Sequence, residues 1–360
     1  MIKAKEYILG IEPYKPGKSK TGNDNKVIKL SSNENALGAS PEALLEYQRH
    51  SDKLFLYADG GCVELRSALA IKYKINADKI VCGAGSDEII ALLTHSFCGV
   101  GDEVLYSEYG FLMYPISAKR VGANGVIAKE INLTANVDNM LAEITNKTKM
   151  IFLANPNNPT GSYLSNSEVE RLIKNVPINI IVVLDLAYAE FVDNKDYPDV
   201  IELVNKYSNV VMIRTFSKIY GLASLRLGWS YSSSYIADIL NRARGPFNVS
   251  GAAQYAGVAA INDSEFVEKS KAHNHKWLKI LAIEFDKIGI KHYPSVANFI
   301  LLDFLSIDKC QKVNEFLLGN GVILREMSAY NLPSYLRMSI GQEKENLIVI
   351  DLLRVYHKSF

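Results

Sequence analysis

The alternation of short apolar runs with amphipathic stretches constrains the fold of this chain more than any other feature. Apolar runs begin at residues 79, 103, 125, 149, 178 and 209, and each has the length of a buried strand. Two of the stretches between them, 86–97 and 165–176, have the pattern of helices, and Ser165 and Glu168 stand at capping-box spacing. Strands separated by helices predict an α/β fold with a mostly parallel sheet covered by helices on both faces.

The pattern changes after residue 262. A long amphipathic helix is predicted at 264–287, followed by a strand at 297–304 and a helix at 308–318. Short strands that begin at residues 322 and 336 and a final helix complete the chain. We therefore expect a large domain at residues 42–262 and a smaller α+β domain formed by residues 1–41 and 263–360.

Charge and composition exclude several classes of protein. The chain has 40 Lys and Arg against 39 Asp and Glu, a balance that gives no support for a nucleic-acid or membrane-surface partner. No run reaches the roughly 20 apolar residues of a membrane helix, and the N-terminus has no signal-peptide core. The four cysteines form no C-x-x-C pair, so we expect reduced thiols and a cytoplasmic protein. His273 and His275 point to different faces of a predicted helix, and no metal site is expected.

Polar motifs follow four of the predicted strands. They are Gly83-AGSDE, Asn155-PNNPTG, Asp185 and Thr215-FSK. Because ligands bind beyond the carboxyl ends of strands in open sheets, the four motifs are predicted to face one crevice. The first motif is not a dinucleotide-binding turn, since Glu88 stands where the third glycine is needed. Its glycine turn leads into a helix, whose free N–H groups favour a phosphate.

Lys218 is the residue with the most informative surroundings. Thr215, Ser217 and Arg226 lie near it in sequence, and two hydroxyls with a guanidinium suit a phosphate dianion. A lysine that is partly desolvated and close to cationic groups has a lowered pKa and can form a Schiff base. A solvated loop position is the alternative for a lone lysine. A phosphate-bearing aldehyde cofactor would explain both features of this segment.

Asp185 ends a buried apolar strand, where a carboxylate needs a partner. A salt-bridged or capping role is one interpretation, and pairing with a pyridinium nitrogen is the other. Tyr188 and the Asn158 amide, which a rigid turn holds at a strand end, could both reach the phenolic oxygen of such a ring. Phe111 could stack on the ring or belong to the core.

Together these motifs resemble the fold-type I aminotransferases, which use pyridoxal 5'-phosphate. The motifs are the asparagine of N-P-T-G, Asp-x-x-Tyr, and Thr-x-Ser-Lys with an arginine eight residues later. Further segments, among them Leu30-SSNENALG, Tyr57-ADGGCVELR and residues 321–341, resemble the histidinol-phosphate aminotransferase branch over essentially the whole chain. The resemblance implies a homodimer and the two-domain fold of that family.

The resemblance also implies roles for the matching positions around the cofactor. Lys218 would bind the cofactor and move a proton, and Asp185 would pair with the ring nitrogen. Tyr188 and Asn158 would bind the phenolic oxygen, and Phe111 would stack on the ring. The implied phosphate ligands are Gly85, Ser86, Asp87, Thr215, Ser217, Arg226 and Tyr57 from the neighbouring subunit.

For the substrate, the resemblance implies two anion sites. Asn33 and Arg337 would hold a carboxylate, whereas Tyr14 and Arg325 would favour a phosphate. The implied reaction converts L-histidinol phosphate and 2-oxoglutarate into imidazole acetol phosphate and L-glutamate, a step of histidine biosynthesis. A broad aromatic-amino-acid aminotransferase and a phosphoamino-acid decarboxylase are the alternatives on the same scaffold. A non-catalytic binding protein is disfavoured by the complete catalytic set around the lysine.

Overall fold

The structure is a computed structural model that describes residues 2–12 and 27–359. Tyr14, one of the predicted substrate-binding residues, lies outside these ranges. The N-terminal elements are α1 (Glu6–Leu9), β1 (Ile28–Lys29), α2 (Pro41–Arg49) and α3 (Val63–Tyr73). Strand β1 pairs in parallel with residues 322–323, so the segment after it is anchored to the C-terminal part of the chain.

A seven-stranded sheet forms the largest element of the fold. Its strands are β2 (Ile80–Gly83), β3 (Glu103–Ser107), β4 (Asn124–Ala128), β5 (Thr148–Ala154), β6 (Ile181–Asp185), β7 (Val210–Thr215) and β8 (Gly228–Tyr231). Their order is β2-β8-β7-β6-β5-β3-β4, and β8 alone runs antiparallel to its neighbours. The predicted α/β fold with a mostly parallel sheet is confirmed.

Helices cover both faces of this sheet. They are α4 (Ser86–Phe97), α5 (Met113–Arg120), α6 (Val137–Ala142), α7 (Asn166–Asn175), α8 (Val200–Lys206), α9 (Ser234–Ala243) and α10 (Gly251–Asn262). Alternate side chains of β5 point to opposite faces of the sheet. Ile151 and Leu153 belong to the hydrophobic cluster on one face, and Met150 and Phe152 belong to the cluster on the other. This alternation follows from the period of two in a strand. A sheet buried on both faces therefore explains the continuous apolar runs of the sequence.

The C-terminal part has its own sheet and core. Its elements are α11 (Ser264–Ile288), β9 (Lys291–Tyr293), β10 (Phe299–Asp303), α12 (Ile307–Gly319), β11 (Val322–Ile323), β12 (Arg325–Glu326), β13 (Tyr335–Ser339) and α13 (Glu343–Ser359). Strands β12-β13-β10-β9 form an antiparallel sheet. Its core includes Leu30 from the N-terminal segment. The domain boundaries at residues 42 and 262 stay a prediction that this shared core supports.

Some details differ from the sequence prediction. The segment 322–326 forms two short strands in different sheets, because β11 pairs with β1 whereas β12 pairs with β13. Strand β8 was not predicted at all, since its four residues follow an irregular loop and carry no long apolar run. No helix in the described ranges is long and apolar enough to cross a membrane.

Candidate active site

A cavity of about 240 Å³ lies where the predicted strand ends converge. Strands β5, β6 and β7 are adjacent and parallel, so the loops after them open on the same edge of the sheet. The segment after β1 and the strands β12 and β13 contribute the opposite wall. The predicted site residues that line the cavity are Asn33, Ser86, Asp87, Phe111, Asn158, Asp185, Tyr188, Thr215, Ser217, Lys218, Arg226, Arg325 and Arg337.

Two described residues of the predicted set do not line this cavity. Gly85 lies behind it with φ of +83°, and a side chain there would collide with the guanidinium of Arg226. Glycine is therefore needed for the arginine to approach the turn. Tyr57 is 85% exposed and stacks on Phe247 with ring centroids 4.7 Å apart. This position is compatible with the expected contribution of Tyr57 to a neighbouring subunit.

One end of the cavity is rich in hydrogen-bond donors. Helix α4 begins at Ser86 without a side-chain cap, so its first N–H groups are available to a ligand. Arg226 Nη2 donates to Asp87 Oδ2 at 3.0 Å. A side chain at Gly228 would collide with the Ser86 nitrogen, so the first residue of β8 must be glycine. The unpredicted strand β8 thereby places this turn.

Two hydroxyls belong to the same donor group. Thr215 Oγ1 lies 3.0 Å from Ser217 Oγ and accepts from the Ser217 nitrogen at 3.1 Å. Arg226 Nη1 donates to Ser217 Oγ at 3.4 Å. Both hydroxyl residues are buried at the end of β7. Backbone N–H groups, two hydroxyls and a guanidinium together form a site for a dianion.

The Asp185 carboxylate lies deep in the cavity wall at the end of β6. Tyr114 on α5 donates a 2.8 Å hydrogen bond to Asp185 Oδ2, and the Ala187 nitrogen donates to Oδ1 at 3.2 Å. Burial raises the pKa of Asp185 to about 6, and these two hydrogen bonds limit the rise. Burial and the nearby carboxylate hold the pKa of Tyr114 well above its usual range, so its hydroxyl stays a donor.

Lys218 follows β7 and reaches across the cavity. Its Nζ donates to Ser32 O at 3.2 Å and lies 5.7 Å from the centre of the Tyr188 ring. Burial, followed by the positive charge of Arg337, lowers the pKa of Lys218 to about 8. A larger fraction of this amine is therefore unprotonated near neutral pH than of an ordinary lysine. Such an amine can attack an aldehyde.

Asn33 and Tyr188 connect the N-terminal segment to the sheet. Asn33 Nδ2 donates to the Tyr188 hydroxyl at 2.9 Å, and Ser339 Oγ donates to Asn33 Oδ1 at 3.0 Å. Asn33 has φ of +55°, a left-handed conformation that asparagine tolerates better than most residues. Asn33 therefore lies in the cavity as predicted, and it also orients the Tyr188 hydroxyl.

Arg325 and Arg337 are direct neighbours across two antiparallel strands. Their Cα atoms are register partners in the β12–β13 pair, and both side chains line the cavity. Arg337 is buried, donates to Asn158 Oδ1, and donates to Ser31 O at 3.0 Å. Two guanidinium groups side by side can bind two anionic groups of one ligand or of alternative ligands.

Sequence reasoning missed two aromatic residues of the site. Tyr330 lines the cavity in the loop between β12 and β13. Tyr114 contacts Asp185 from behind and stacks on Phe152 with centroids 4.6 Å apart. A tyrosine one helical turn after Phe111 was the available signal for Tyr114, but its pattern is also that of a core residue.

The chemistry of the site follows from this layout. A dianion site lies at one end, a buried carboxylate suits a protonated ring nitrogen, and a lysine amine shares the cavity with them. Phe111 on the wall offers a flat apolar surface for a ring. The donor set fits a phosphorylated aromatic aldehyde.

Comparison with known proteins agrees with the fold. The family model "Aminotransferase class I and II" matches residues 25–353. The chain is 46% identical over 351 residues to a histidinol-phosphate aminotransferase of Paramagnetospirillum magneticum, covering 97% of each chain. It is 48% identical over 347 residues to one of Rhodopseudomonas palustris, covering 96% of this chain and 95% of the relative.

Solved structures show the same fold. A histidinol-phosphate aminotransferase from Sinorhizobium meliloti in complex with pyridoxal-5'-phosphate superposes with a TM-score of 0.88 at 24% identity, covering 93% of this chain and 92% of that one. A variant of the Thermus thermophilus aspartate aminotransferase gives a TM-score of 0.86 at 18% identity over 100% of both chains. At such identities these two likenesses concern the fold alone. From the family match and the two full-length relatives, the chain belongs to the aminotransferase class I and II family.

Proposed function

We propose that this chain is a pyridoxal 5'-phosphate-dependent aminotransferase. Its proposed reaction converts L-histidinol phosphate and 2-oxoglutarate into imidazole acetol phosphate and L-glutamate in the cytoplasm, as a step of histidine biosynthesis. The observation that carries the proposal is one cavity that holds Lys218, Asp185, the dianion site and two adjacent arginines. The names of the full-length relatives support the substrate.

The donor set suits this cofactor at each of its polar groups. The N-terminus of α4, Thr215, Ser217 and Arg226 would hold the phosphate. Asp185 would keep the ring nitrogen protonated, while Tyr188 and Asn158 would donate to the phenolic oxygen. When bound, the cofactor supplies an electron sink that stabilises negative charge at the substrate Cα.

Lys218 has two proposed tasks in the reaction. Its unprotonated amine, favoured by the lowered pKa of about 8, would bind the cofactor aldehyde. The same Nζ would take the proton that leaves the substrate Cα. An amine with a pKa close to the working pH is well suited to accept and return a proton.

Arg325 and Arg337 provide the proposed anion selectivity. Histidinol phosphate has a phosphate and no carboxylate, whereas glutamate has two carboxylates, so one cavity must accept different anions in the two half-reactions. Arg337 is fixed by Asn158 and Ser31 and is the proposed site for the α-carboxylate of glutamate. Arg325, across the strand pair, is the proposed site for the phosphate of histidinol phosphate.

A homodimer is the second part of the proposal. Four consecutive apolar side chains are exposed: Leu54 by 67%, Phe55 by 83%, Leu56 by 58% and Tyr57 by 85%. A contiguous apolar segment of this kind on a folded chain is typical of a protein–protein contact. A second copy would cover this segment and receive Tyr57 at its phosphate site.

The substrate assignment is tested with Arg325→Ala. We expect this change to lower kcat/KM for histidinol phosphate roughly a hundredfold, on the scale of about 3 kcal/mol for losing one partner of a buried charge pair. Phenylalanine, which would use Arg337 for its carboxylate, should lose much less. The measurement is the half-reaction of each substrate, followed by cofactor absorbance.

Arg242→Ala is the matched control, because Arg242 is an exposed arginine on α9 that pairs only with Asp238 among the ion pairs described. It should leave both substrates unchanged. Equal losses for histidinol phosphate and phenylalanine in Arg325→Ala would favour a broad aromatic aminotransferase. Release of CO₂ from phosphothreonine by the wild-type protein would favour a decarboxylase.

A further inference from the structure

Glu130 lies just after β4, outside the cavity but in contact with two loops that form it. Its Oε1 accepts from the Tyr109 nitrogen at 3.2 Å and from Asn157 Nδ2 at 3.4 Å. Tyr109 is two residues before Phe111, and Asn157 directly precedes Asn158. Glu130 therefore connects the loop of the ring-facing phenylalanine to the turn of the cavity asparagine.

Asn157 strengthens the same connection. Its Nδ2 also donates to Tyr109 O at 3.3 Å and to Thr160 Oγ1 at 3.1 Å. The side chain of Asn157 is buried. Loops that follow β3 and β5 are thus joined through one amide and one carboxyl group, and the segment after β4 supplies the carboxyl.

The acceptors in this cluster outnumber the donors. Glu130 Oε2 and Asn157 Oδ1 are both buried and have no hydrogen-bond partner in the described part of the chain. Buried polar atoms are almost always paired, so two orphan acceptors on touching side chains require an explanation. A proton on Oε2 leaves this unpaired oxygen without a negative charge, the form that burial favours.

The local charges favour that proton. Burial raises the pKa of Glu130 to about 7, and the neighbouring Glu108 adds to the rise, while the Ser107 hydroxyl and the Tyr109 nitrogen oppose it. Glu108 accepts from the Glu130 nitrogen at 3.3 Å and pairs with Lys129. Glu108, Lys129 and Tyr109 are the titratable groups that face Glu130 from β3, β4 and their loops.

We propose that Glu130 is a positioning residue that, in its protonated form, holds the Phe111 loop against the Asn158 turn. Loss of the proton places a poorly solvated carboxylate beside Glu108 and loosens both loops. Phe111 and Asn158 then bind the cofactor ring less well. The cofactor part of this inference rests on the proposed function, whereas the proton itself is a property of the chain alone.

The direction of the pH effect follows from the raised pKa. The proton contributes stability that is fully present below the ordinary pKa of 4.5 and is lost as pH rises to about 7. In the cofactor-free protein, the free energy of unfolding should therefore fall over this range because of Glu130. Cofactor affinity should fall around and above pH 7 for the same reason.

Glu130→Gln tests the inference, because glutamine has the shape of the protonated acid and cannot lose a proton. The readout is the dissociation constant of pyridoxal 5'-phosphate at pH 6 and 8.5, expressed as the ratio of wild type to variant. We expect a ratio near one at pH 6 and roughly fivefold at pH 8.5, the scale of losing one buried hydrogen bond. Groups shared by both proteins, such as Lys218, cancel in the ratio.

Two further variants sharpen the test. Glu108→Gln removes a negative charge next to Glu130 and should lower the pKa of Glu130. When the ratio is measured with Glu108→Gln in both proteins, its rise should therefore begin at lower pH. Glu143→Gln, an exposed carboxyl at the end of α6, is the matched control and should keep the ratio at one throughout. A ratio for Glu130→Gln that stays constant from pH 6 to 8.5 would overturn the positioning role.

Urea unfolding of the cofactor-free proteins separates this inference from the proposed function. The free energy of unfolding should be compared between Glu130→Gln and the wild type. The excess of the variant over the wild type should grow from pH 4.5 to 7 and then stay level. A difference that does not change with pH would refute the buried proton, whatever the cofactor does. Failure of the wild type to bind pyridoxal 5'-phosphate, with that difference intact, would remove the proposed function and the cofactor effect but leave the proton.

Discussion

At the scale of single residues, the site depends on the Asp185 carboxylate, which the fold places where burial disfavours its charged form. Asp185 is buried at the end of β6, and its pKa of about 6 shows that burial outweighs the hydrogen bonds from Tyr114 and the Ala187 nitrogen. A cationic ring nitrogen next to Asp185 would lower the pKa of the carboxyl again. The free-energy cost of burying this charge is therefore present in the cofactor-free chain and would be offset by the ligand.

Asp185→Asn should separate stability from function. The raised pKa means that stability is lost as pH rises from 3.8 to about 6, so the buried carboxylate costs stability above that range. We expect the cofactor-free variant to gain about 3 kcal/mol over wild type at pH 8 and little at pH 4. Cofactor affinity and turnover should both fall, because an amide cannot keep the ring nitrogen protonated.

Urea unfolding at the two pH values and the cofactor dissociation constant measure these effects. Tyr114→Phe is the companion variant: it removes a hydrogen bond to the carboxylate and should raise the pKa of Asp185 further. An Asp185→Asn protein that binds the cofactor as tightly as wild type would refute the pairing.

Residues with a reactive group next to a strand end could be predicted, and those that act through another residue could not. Lys218, Asp185 and Arg226 occur in short motifs whose spacing carries chemistry. Tyr114 and Glu130 have the ordinary patterns of a core aromatic and a surface acid. Their roles come from partners 71 and 27 positions away, which only the folded chain brings together.

At the scale of elements, the parallel strands and their helices followed from the sequence because each buries a continuous apolar run. The ends of β5, β6 and β7 could therefore be assigned to one crevice from the sequence alone. Pairings between distant short strands could not. Strand β1, for example, pairs with a strand about 290 positions away.

At the scale of the whole molecule, the proposed dimer places parts of two chains in each active site. The apolar segment that ends at Tyr57 is exposed in one chain, and Tyr57 does not line the cavity of its own chain. The missing contact at the phosphate site would come from the partner. Each chain alone would then have an incomplete site.

Complementation tests this arrangement. Tyr57→Phe and Lys218→Ala chains are mixed, refolded together and assayed. In a heterodimer one site carries both changes and the other carries neither, so activity should return to about a quarter of wild type for random mixing. Mass spectrometry under native conditions confirms that heterodimers formed. Activity no higher than that of the separate variants, with heterodimers present, would mean that each site is built from one chain.

The covalent attachment of the cofactor tests the central claim most directly. The protein is incubated with pyridoxal 5'-phosphate, reduced with borohydride and digested, and the modified peptide is identified by mass spectrometry. We predict that the label lies on Lys218, whose pKa is lowered to about 8 by burial and by the positive charge of Arg337. Lys218→Ala should keep the cofactor without a covalent bond and lose turnover. A label on another lysine, or near wild-type turnover in Lys218→Ala, would contradict the account.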